Sequence, residues 1–242
     1  MTLGRHVDGV LFDVDDTLVD FSDATARALL AHVGALGAGQ TATAAELIAC
    51  WRALEREHFP RFLRGECSFT EQRRSRARAF CATFGLTLGA SDEETDAWVG
   101  AYLEHCDAAF RAYDDARPAL DDLRRAGYRV GAMSNSNHRY QDAKLRRTGL
   151  RDALEVLVCC DDAGGRAKPD PEIFRTACAA LGTAPQRTLY VGDHVDNDAR
   201  AAVRAGLHGV WLARGDDTAA PADVPVIHDL RLLAGLVEGT SR

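Results

Sequence analysis

Acidic residues gather directly after a short apolar segment near the start of the chain. Asp13, Asp15 and Asp16 follow the run Val10-Leu11-Phe12, which favours a buried strand that ends in a loop. Carboxylates at the end of a strand can ligate a hard cation, attack an electrophile or transfer a proton. The same residues are also typical of a solvated turn, so their chemistry depends on what lies beside them.

Further polar residues follow other apolar segments along the chain. They are Ser134 with Asn135, Lys168, and Asp193 with Asp198. Ligands of an open parallel sheet bind beyond the carboxyl ends of its strands, so we expect all these groups to converge at one edge. Carboxylates, a hydroxyl and an ammonium in one cleft suit an anionic substrate bridged by a hard cation. Mg²⁺ is the expected cation, because it prefers a few carboxylate oxygens together with water and substrate phosphate.

Short apolar segments and helical patterns alternate through much of the chain. The predicted strands are residues 7–13, 128–134, 154–160, 188–192 and 208–213. The predicted helices between them are residues 116–126, 141–148, 171–181 and 196–205. A loop at 218–225 and a last short strand and helix at 226–237 complete the pattern. This alternation predicts an α/β fold with a doubly wound, Rossmann-like parallel sheet.

One long stretch, from Phe21 to Ala112, breaks the alternation. Helical periodicity runs through residues 23–36, 44–63, 70–84 and 92–110, and we find no convincing strand among them. We therefore predict two domains. Residues 1–20 and 113–242 form the α/β core, and residues 21–112 form an all-helical insert.

Composition narrows the classes of function. The 242 residues carry a net charge of -7, which argues against a nucleic-acid-binding surface. No run of apolar residues is long enough to span a membrane, and no basic-then-apolar leader is seen, so we expect a cytoplasmic protein. The seven cysteines form no C-x-x-C pair, which favours reduced thiols over zinc. The oligomeric state is not indicated by the sequence.

The four groups of polar residues, in their order, resemble the motifs of the haloacid dehalogenase-like (HAD) superfamily. The matching segments are Asp13-Val14-Asp15-Asp16-Thr17, Ser134-Asn135, Lys168-Pro169 and Gly192-Asp193 with Asn197-Asp198. The helical insert stands where that superfamily's type 1 cap stands. The resemblance implies a Mg²⁺-dependent phosphatase that hydrolyses a small phosphorylated metabolite, such as a sugar phosphate or nucleoside monophosphate, through an aspartyl-phosphate.

The resemblance also implies a role for each residue. Asp13 would be the nucleophile, Asp15 the general acid and then base, and Lys168 the group that neutralises charge. The phosphate oxygens would be held by Thr17, Ser134, Asn135 and Lys168. The metal would be held by the carboxylates of Asp13 and Asp193 and the backbone carbonyl of Asp15, with Asp198 acting through a bound water or orienting its neighbours.

The same residues help to distinguish a phosphatase from other activities of the superfamily. Its dehalogenases and phosphonatases lack an acid at the position of Asp15, and its phosphonatases recruit a lysine from the cap. No lysine lies between residues 21 and 112. A phosphomutase keeps the second aspartate and stays possible, although Asp16 stands where mutases often have glycine. A non-enzymatic binding module on this fold is the remaining alternative.

Overall fold

The computed structural model describes residues 7–36, 42–215 and 223–238. The chain divides into two compact units. One unit comprises Met1–Asp20 and Arg111–Arg242, and the other comprises Phe21–Phe110.

The first unit is built on a parallel sheet. Its strands are β1 (Gly9–Phe12), β2 (Arg129–Ser134), β3 (Val156–Cys159), β4 (Thr188–Gly192), β5 (His208–Leu212) and β6 (Val226–Ile227). Their order is β3-β2-β1-β4-β5-β6, and every neighbouring pair is parallel. Every residue of β1 and β4, at the centre of the sheet, is buried, as near-continuous apolar strands require. The predicted α/β doubly wound fold is confirmed.

The α-helices within the described ranges follow the predicted pattern closely. They are α1 (Phe21–Ala35), α2 (Ala44–Leu63), α3 (Phe69–Phe84), α4 (Asp92–Ala109), α5 (Ala116–Arg125), α6 (His138–Arg147), α7 (Pro171–Leu181), α8 (Arg200–Arg204) and α9 (Leu233–Glu238). Helix α7 agrees at both ends because Asp170 caps the backbone N–H of Glu172, and Gly182 ends the helix with a left-handed φ of 69°. The first five residues of the predicted loop at 218–225 lie outside the described residues.

Helix α6 begins earlier than the sequence pattern indicated. The prediction began at Gln141, but the helix begins at His138 because the side chain of Asn137 accepts a hydrogen bond from the backbone N–H of Tyr140 (3.3 Å). This extra turn gives Gln141 and Lys144 a place in the helix interior, where both are buried.

The predicted helix at 196–205 is two elements. A π-helical turn over Val195–Ala199 leads into α8. The Asp198 carboxylate accepts a hydrogen bond from the backbone N–H of His194 (2.9 Å), and His194 Nδ1 in turn accepts one from the N–H of Asn197 (3.4 Å). Such widened turns are frequent at functional sites, and this one carries Asp198 into the protein interior, where it is buried.

The second unit is a bundle of α1 to α4. Helices α2, α3 and α4 each begin with a capping box, formed by Thr43 with Glu46, Ser68 with Glu71, and Ser91 with Glu94. Aromatic side chains fill the bundle, and the indole N–H of Trp51 donates to the hydroxyl of Tyr102 (3.0 Å). The described residues of this unit contain no strand, as the periodicity indicated.

Two further expectations concern the chain as a whole. Within the residues described, no helix combines the length and apolar character needed to cross a bilayer. All seven cysteines lie in the described ranges, and all carry free thiols.

Candidate active site

Asp13 and Lys168 form the centre of the candidate site. Asp13 follows β1, and its backbone N–H donates to the carbonyl of Val191 on β4 (2.8 Å). Its Oδ1 lies 2.6 Å from Lys168 Nζ, and both side chains are buried. The same ammonium donates to Asp198 Oδ1 (2.7 Å) and to the hydroxyl of Tyr190 (3.0 Å). Thus three oxygens, two of them from carboxylates, receive the three protons of the lysine.

Burial sets the charge states of this pair. Burial, the largest cause, raises the pKa of Asp13 well above its usual value, and the carboxylates of Asp198 and Asp193 raise it further, against the attraction of Lys168. Burial by itself would lower the pKa of Lys168, but Asp13 and Asp198 outweigh it and the pKa rises. Lys168 therefore keeps its proton, and Asp13 binds a proton more readily than an exposed carboxylate does.

The side chain of Asn135, just after β2, holds the backbone of Lys168 through two hydrogen bonds. The side-chain oxygen of Asn135 accepts a hydrogen bond from the backbone N–H of Lys168 (2.6 Å), and its Nδ2 donates to the Lys168 carbonyl (2.8 Å). This reciprocal pair joins residues 33 positions apart in the chain. The Asn135 side chain is thus committed to holding Lys168, which leaves only its backbone amide for the predicted phosphate contact.

Asp193 and Asp198 bring two further carboxylates to the site. Burial, with the Asp198 and Asp16 carboxylates, raises the pKa of Asp193 to about 7. Asp198 packs directly over Gly192, where an added Cβ would lie 2.4 Å from the Asp198 Cγ. A glycine is therefore required before Asp193 for Asp198 to reach Lys168.

The three carboxylates are close enough to bind a cation together. Asp13, Asp193 and Asp198 each offer an oxygen, and these atoms lie within 4.8 Å of one another. Three carboxylates this close together repel one another and gain from a hard cation, and all-oxygen donors suit Mg²⁺. The residues present therefore fit the predicted metal. Asp198 stands as close to the group as the other two, although the prediction placed it behind a bound water or in an orienting role.

Thr17 lies beside Asp193. Its hydroxyl is buried and donates to Asp193 Oδ1 (3.3 Å). The sequence predicts Thr17 as a phosphate contact, but in this arrangement the hydroxyl orients a candidate metal ligand. The indole N–H of Trp211 fixes the same residue from the other side by donating to the Asp193 carbonyl (2.8 Å).

An ion pair far along the chain braces the loop after β1. Arg214 donates to the Thr17 carbonyl (2.6 Å) and to Asp115 Oδ1 (2.9 Å). The other oxygen of Asp115 accepts a hydrogen bond from the backbone N–H of Leu230 (2.9 Å). The guanidinium also stacks 3.6 Å from the ring centroid of Tyr113. Three separate segments, around residues 113–115, 214 and 230, thereby hold the loop that carries Asp13 and Asp15.

Asp15 is held on the other side of the site by helix α6. Its Oδ2 accepts a hydrogen bond from Gln141 Nε2 (2.8 Å), and its Oδ1 forms an ion pair with Lys144. Gln141 Nε2 also donates to Ser134 Oγ (2.9 Å), and Ser134 is buried at the end of β2. Asp15 and Ser134, which are predicted to act on the same phosphate, are thus linked through one amide.

Sequence reasoning missed Tyr190, Gln141 and Lys144. Tyr190 is hidden in an apolar strand and Gln141 in a polar helix, so neither carries a local signal. Lys144 does carry one. Of the 29 lysines and arginines of the chain, two are lysines, Lys144 and Lys168. Both are buried and each contacts a candidate catalytic aspartate, so this bias in composition could have pointed to Lys144.

This fold and this set of carboxylates define a class. The chain belongs to the haloacid dehalogenase-like hydrolase family, whose sequence model matches residues 7–206. Among curated relatives, N-acetylmuramic acid 6-phosphate phosphatase of Pseudomonas aeruginosa is 30% identical over 237 residues, which cover 93% of this chain and 92% of the relative. The predicted superfamily and the prediction of a hydrolase are confirmed.

Solved structures agree on the fold. The HAD-hydrolase YfnB from Bacillus subtilis, in a magnesium-bound form, has a TM-score of 0.77 at 22% identity, covering 96% of this chain and 99% of its own. The L-2-haloacid dehalogenase PA0810 has a TM-score of 0.75 at 26% identity, covering 95% of this chain and 99% of its own. Because phosphatases and dehalogenases share this fold, the site residues must decide between them.

Proposed function

We propose that this chain is a Mg²⁺-dependent phosphatase that hydrolyses a small phosphate monoester through an aspartyl-phosphate on Asp13. The observation that carries this proposal is the contact between the Asp13 carboxylate and the buried Lys168, with two further carboxylates in reach of the same point. The likeness to a phosphatase along 93% of the chain supports it.

The chain's own residues supply each step of this reaction. One Asp13 oxygen attacks phosphorus, the bond from phosphorus to the leaving alcohol breaks, and Asp15 gives that alcohol its proton. Asp15 then takes a proton from water, whose oxygen attacks phosphorus. The bond to Asp13 breaks, and inorganic phosphate leaves.

Three groups would hold the phosphoryl oxygens during both steps. Lys168, the Ser134 hydroxyl and the Asn135 backbone amide stand at the ends of neighbouring segments of the sheet and suit this task. A cation held by Asp13, Asp193 and Asp198 would, when bound, neutralise negative charge on the phosphate.

Asp15 separates this proposal from dehalogenation. A halide leaves without a proton, whereas an alkoxide leaving group needs one, so the general-acid role of Asp15 is used only in phosphate-ester hydrolysis. We therefore expect no halide release from 2-haloacids. For the substrate we favour a sugar phosphate, in line with the sugar-phosphate substrate named for the Pseudomonas relative. A phosphomutase would return an isomer of the substrate without free phosphate.

A panel of phosphate monoesters tests the proposal. Purified protein with Mg²⁺ should release inorganic phosphate from an aryl phosphate and from at least one sugar phosphate or nucleoside monophosphate, and EDTA should stop the release. Isomerised substrate without free phosphate would favour the mutase. No turnover across the panel with Mg²⁺ would contradict the phosphatase.

Asp15→Asn should slow both chemical steps, because asparagine can neither give nor take the proton. We expect turnover to fall by about 10²- to 10⁴-fold, the usual contribution of a positioned acid or base. Steady-state kinetics with an alkyl phosphate measure this loss. A variant within a few-fold of the wild type would show that Asp15 is not the acid.

Mg²⁺ should stabilise the folded protein more at high pH than at low pH. The pKa of Asp193 is raised from 3.8 to about 7, so the metal-free folded state binds a proton more tightly than the unfolded state and loses stability as the pH rises across this window. The cation must displace that proton when it binds.

The expected size of this effect follows from linkage. Mg²⁺ at about 100 times its dissociation constant gives about 2.7 kcal/mol at pH 8, or roughly 5 to 10 °C in the melting temperature. At pH 5.5 proton competition should reduce the gain to about 1 kcal/mol. Thermal melts with Mg²⁺ and with EDTA at both pH values measure it, and equal shifts would contradict a cation among these carboxylates.

A further inference from the structure

The lysine Lys144 has no place in the reaction described above, yet it is among the most buried side chains of the chain. Its side chain is 1% exposed, and its ammonium pairs with Asp15 Oδ1. A buried ammonium is costly unless it is paired and hydrogen-bonded. The other lysine, Lys168, pairs with Asp13 in the same way. Both lysines of the chain thus form ion pairs with the two candidate catalytic aspartates.

Gln141 completes the contact from one turn earlier in α6. Residues three apart on a helix share a face, so Gln141 and Lys144 reach Asp15 together. Gln141 Nε2 donates a hydrogen bond to Asp15 Oδ2 (2.8 Å), and the Lys144 ammonium donates one to Asp15 Oδ1. Each oxygen of this carboxylate therefore has its own donor. The same amide binds Ser134 Oγ (2.9 Å).

We propose that Gln141 and Lys144 are positioning residues, together the α6 clamp, that fix the Asp15 carboxylate for proton transfer next to Ser134. This inference rests on the proposed function. Neither residue is assigned to the reacting phosphate; Lys144 acts through Asp15, whereas Gln141 holds both Asp15 and Ser134. Through these contacts the side chain of Asp15, which lies in a loop, is held by two residues of helix α6.

The need for such a clamp follows from the exposure of Asp15. Its side chain is 27% exposed, so without donors it would be free to occupy several rotamers. Proton transfer requires the acid within hydrogen-bond reach of the leaving oxygen, and small displacements cost much of the rate. Side chains that are themselves locked by burial hold such geometry best, and Gln141 and Lys144 are both buried.

Leaving-group dependence tests the clamp. Gln141→Leu and Lys144→Met should lower kcat about 10- to 100-fold for an alkyl phosphate, whose leaving group needs a proton. For the phosphorylation step with a dinitrophenyl phosphate, whose leaving group needs none, the loss should be under about 3-fold. The initial burst of dinitrophenol, which reports phosphorylation of Asp13, should therefore be retained. The steady-state rate that follows should fall, because hydrolysis of the aspartyl-phosphate still requires Asp15 as the base. Equal losses for both substrates and both phases would show a merely structural role and overturn the clamp.

A control variant lies on the same helix. Arg146 is 68% exposed and pairs with Asp142, so Arg146→Met removes a cation from α6 without touching Asp15. It should leave the rates for both substrates unchanged. A leaving-group effect of the same size in this variant would assign the effect to the charge of the helix, not to the clamp.

Double variants show whether the clamp acts through Asp15. In an Asp15→Asn background, adding Lys144→Met should cost less than about 2-fold, because the group that it positions has already lost its function. Additive losses would overturn the proposal. In this background Lys144→Met leaves no unpaired carboxylate, because the asparagine is neutral, so the comparison stands even if Lys144→Met alone does not fold.

A spectroscopic readout does not depend on turnover. Protein labelled with ¹⁵N-lysine gives two side-chain amine signals, because the chain has two lysines. Asp15→Asn should move the Lys144 signal and leave that of Lys168, and Asp13→Asn should do the reverse. A Lys144 signal that does not shift in Asp15→Asn would contradict the ion pair between Lys144 and Asp15. If the wild type lacks phosphatase activity, the proposed function fails. If the wild type is active and Gln141→Leu hydrolyses phosphate esters at the same rates, the clamp alone is refuted.

Discussion

Replacing Asp13 by asparagine should abolish turnover, with a loss of at least about 10⁴-fold in kcat, as for other enzymes that lose a nucleophile. Asparagine keeps the shape of the side chain but has no carboxylate oxygen with which to attack phosphorus. Steady-state release of phosphate in the presence of Mg²⁺ measures the loss. A second readout is the transfer of ³²P-labelled phosphate from substrate to the protein. This labelling of the protein should disappear in the variant.

The fold should survive this substitution. Asp13 is one of three crowded carboxylates, and its pKa is raised by burial and by its neighbours, so a neutral amide relieves repulsion while Lys168 keeps Asp198 as its partner. We expect the free energy of unfolding in EDTA to change by less than about 1 kcal/mol.

A matched control for Asp13→Asn lies in the same loop. Asp16 has a left-handed φ of 57°, a conformation that asparagine tolerates well, so Asp16→Asn makes the same chemical change nearby. Asp16→Asn should keep activity within about an order of magnitude. Activity in Asp13→Asn comparable to that of Asp16→Asn would remove the covalent mechanism.

Replacing Lys168 by methionine should harm both activity and stability. The ammonium is buried between Asp13 and Asp198, and removing it leaves two buried carboxylates without their counter-charge. Breaking a buried pair in this way costs about 3–5 kcal/mol. We also expect kcat to fall by at least about 10³-fold, because the phosphate loses a positioned cation.

The stability loss in Lys168→Met should depend on pH with a definite sign. Without the lysine, the pKa of Asp13 loses the attraction that lowers it and rises further, so the folded state binds a proton more tightly than the unfolded state. Its stability is then retained at low pH and lost as the pH rises. Urea unfolding in EDTA at pH 5 and pH 8 should show the larger loss at pH 8. A loss that is larger at pH 5 would contradict this reading of the site.

Arg166→Met supplies the comparison for Lys168→Met. Arg166 lies in the same loop, is 62% exposed and pairs with Asp170 at the surface. Exposed pairs contribute about 0–1 kcal/mol, so this variant should be close to the wild type in stability and in rate. The contrast separates the buried cation from the general charge of the loop.

The likeness to both phosphatases and dehalogenases has a simple physical basis in this site. Attack by a carboxylate on an electrophile requires an aspartate and a cation at the ends of neighbouring strands in either reaction. In the proposed reaction, Asp15 would add a proton donor for an alcohol leaving group. Its two donors from α6 show that the tertiary structure also supports this position.

Much of the fold follows from the sequence because its signals are local. Apolar segments bounded by turns locate the central strands, and β4 (Thr188–Gly192) agrees at both ends. Capping residues locate the helices, as Asp170 and Gly182 do for α7. Since parallel strands end at one edge, the sequence also predicts that Asp13, Ser134 and Lys168 meet, and hydrogen bonds link these segments.

The partners that hold these residues are decided by the tertiary structure. Gln141 and Lys144 meet Asp15 across about half of the chain, and Arg214 reaches back to Thr17 and Asp115. A helical pattern shows which residues share a face, but not which loop that face will meet. The sequence determined by itself that carboxylates, a hydroxyl and an ammonium end neighbouring segments. Packing of distant elements then decided which donor each carboxylate receives, because burial makes every unpaired charge costly and selects the contacts that pair them.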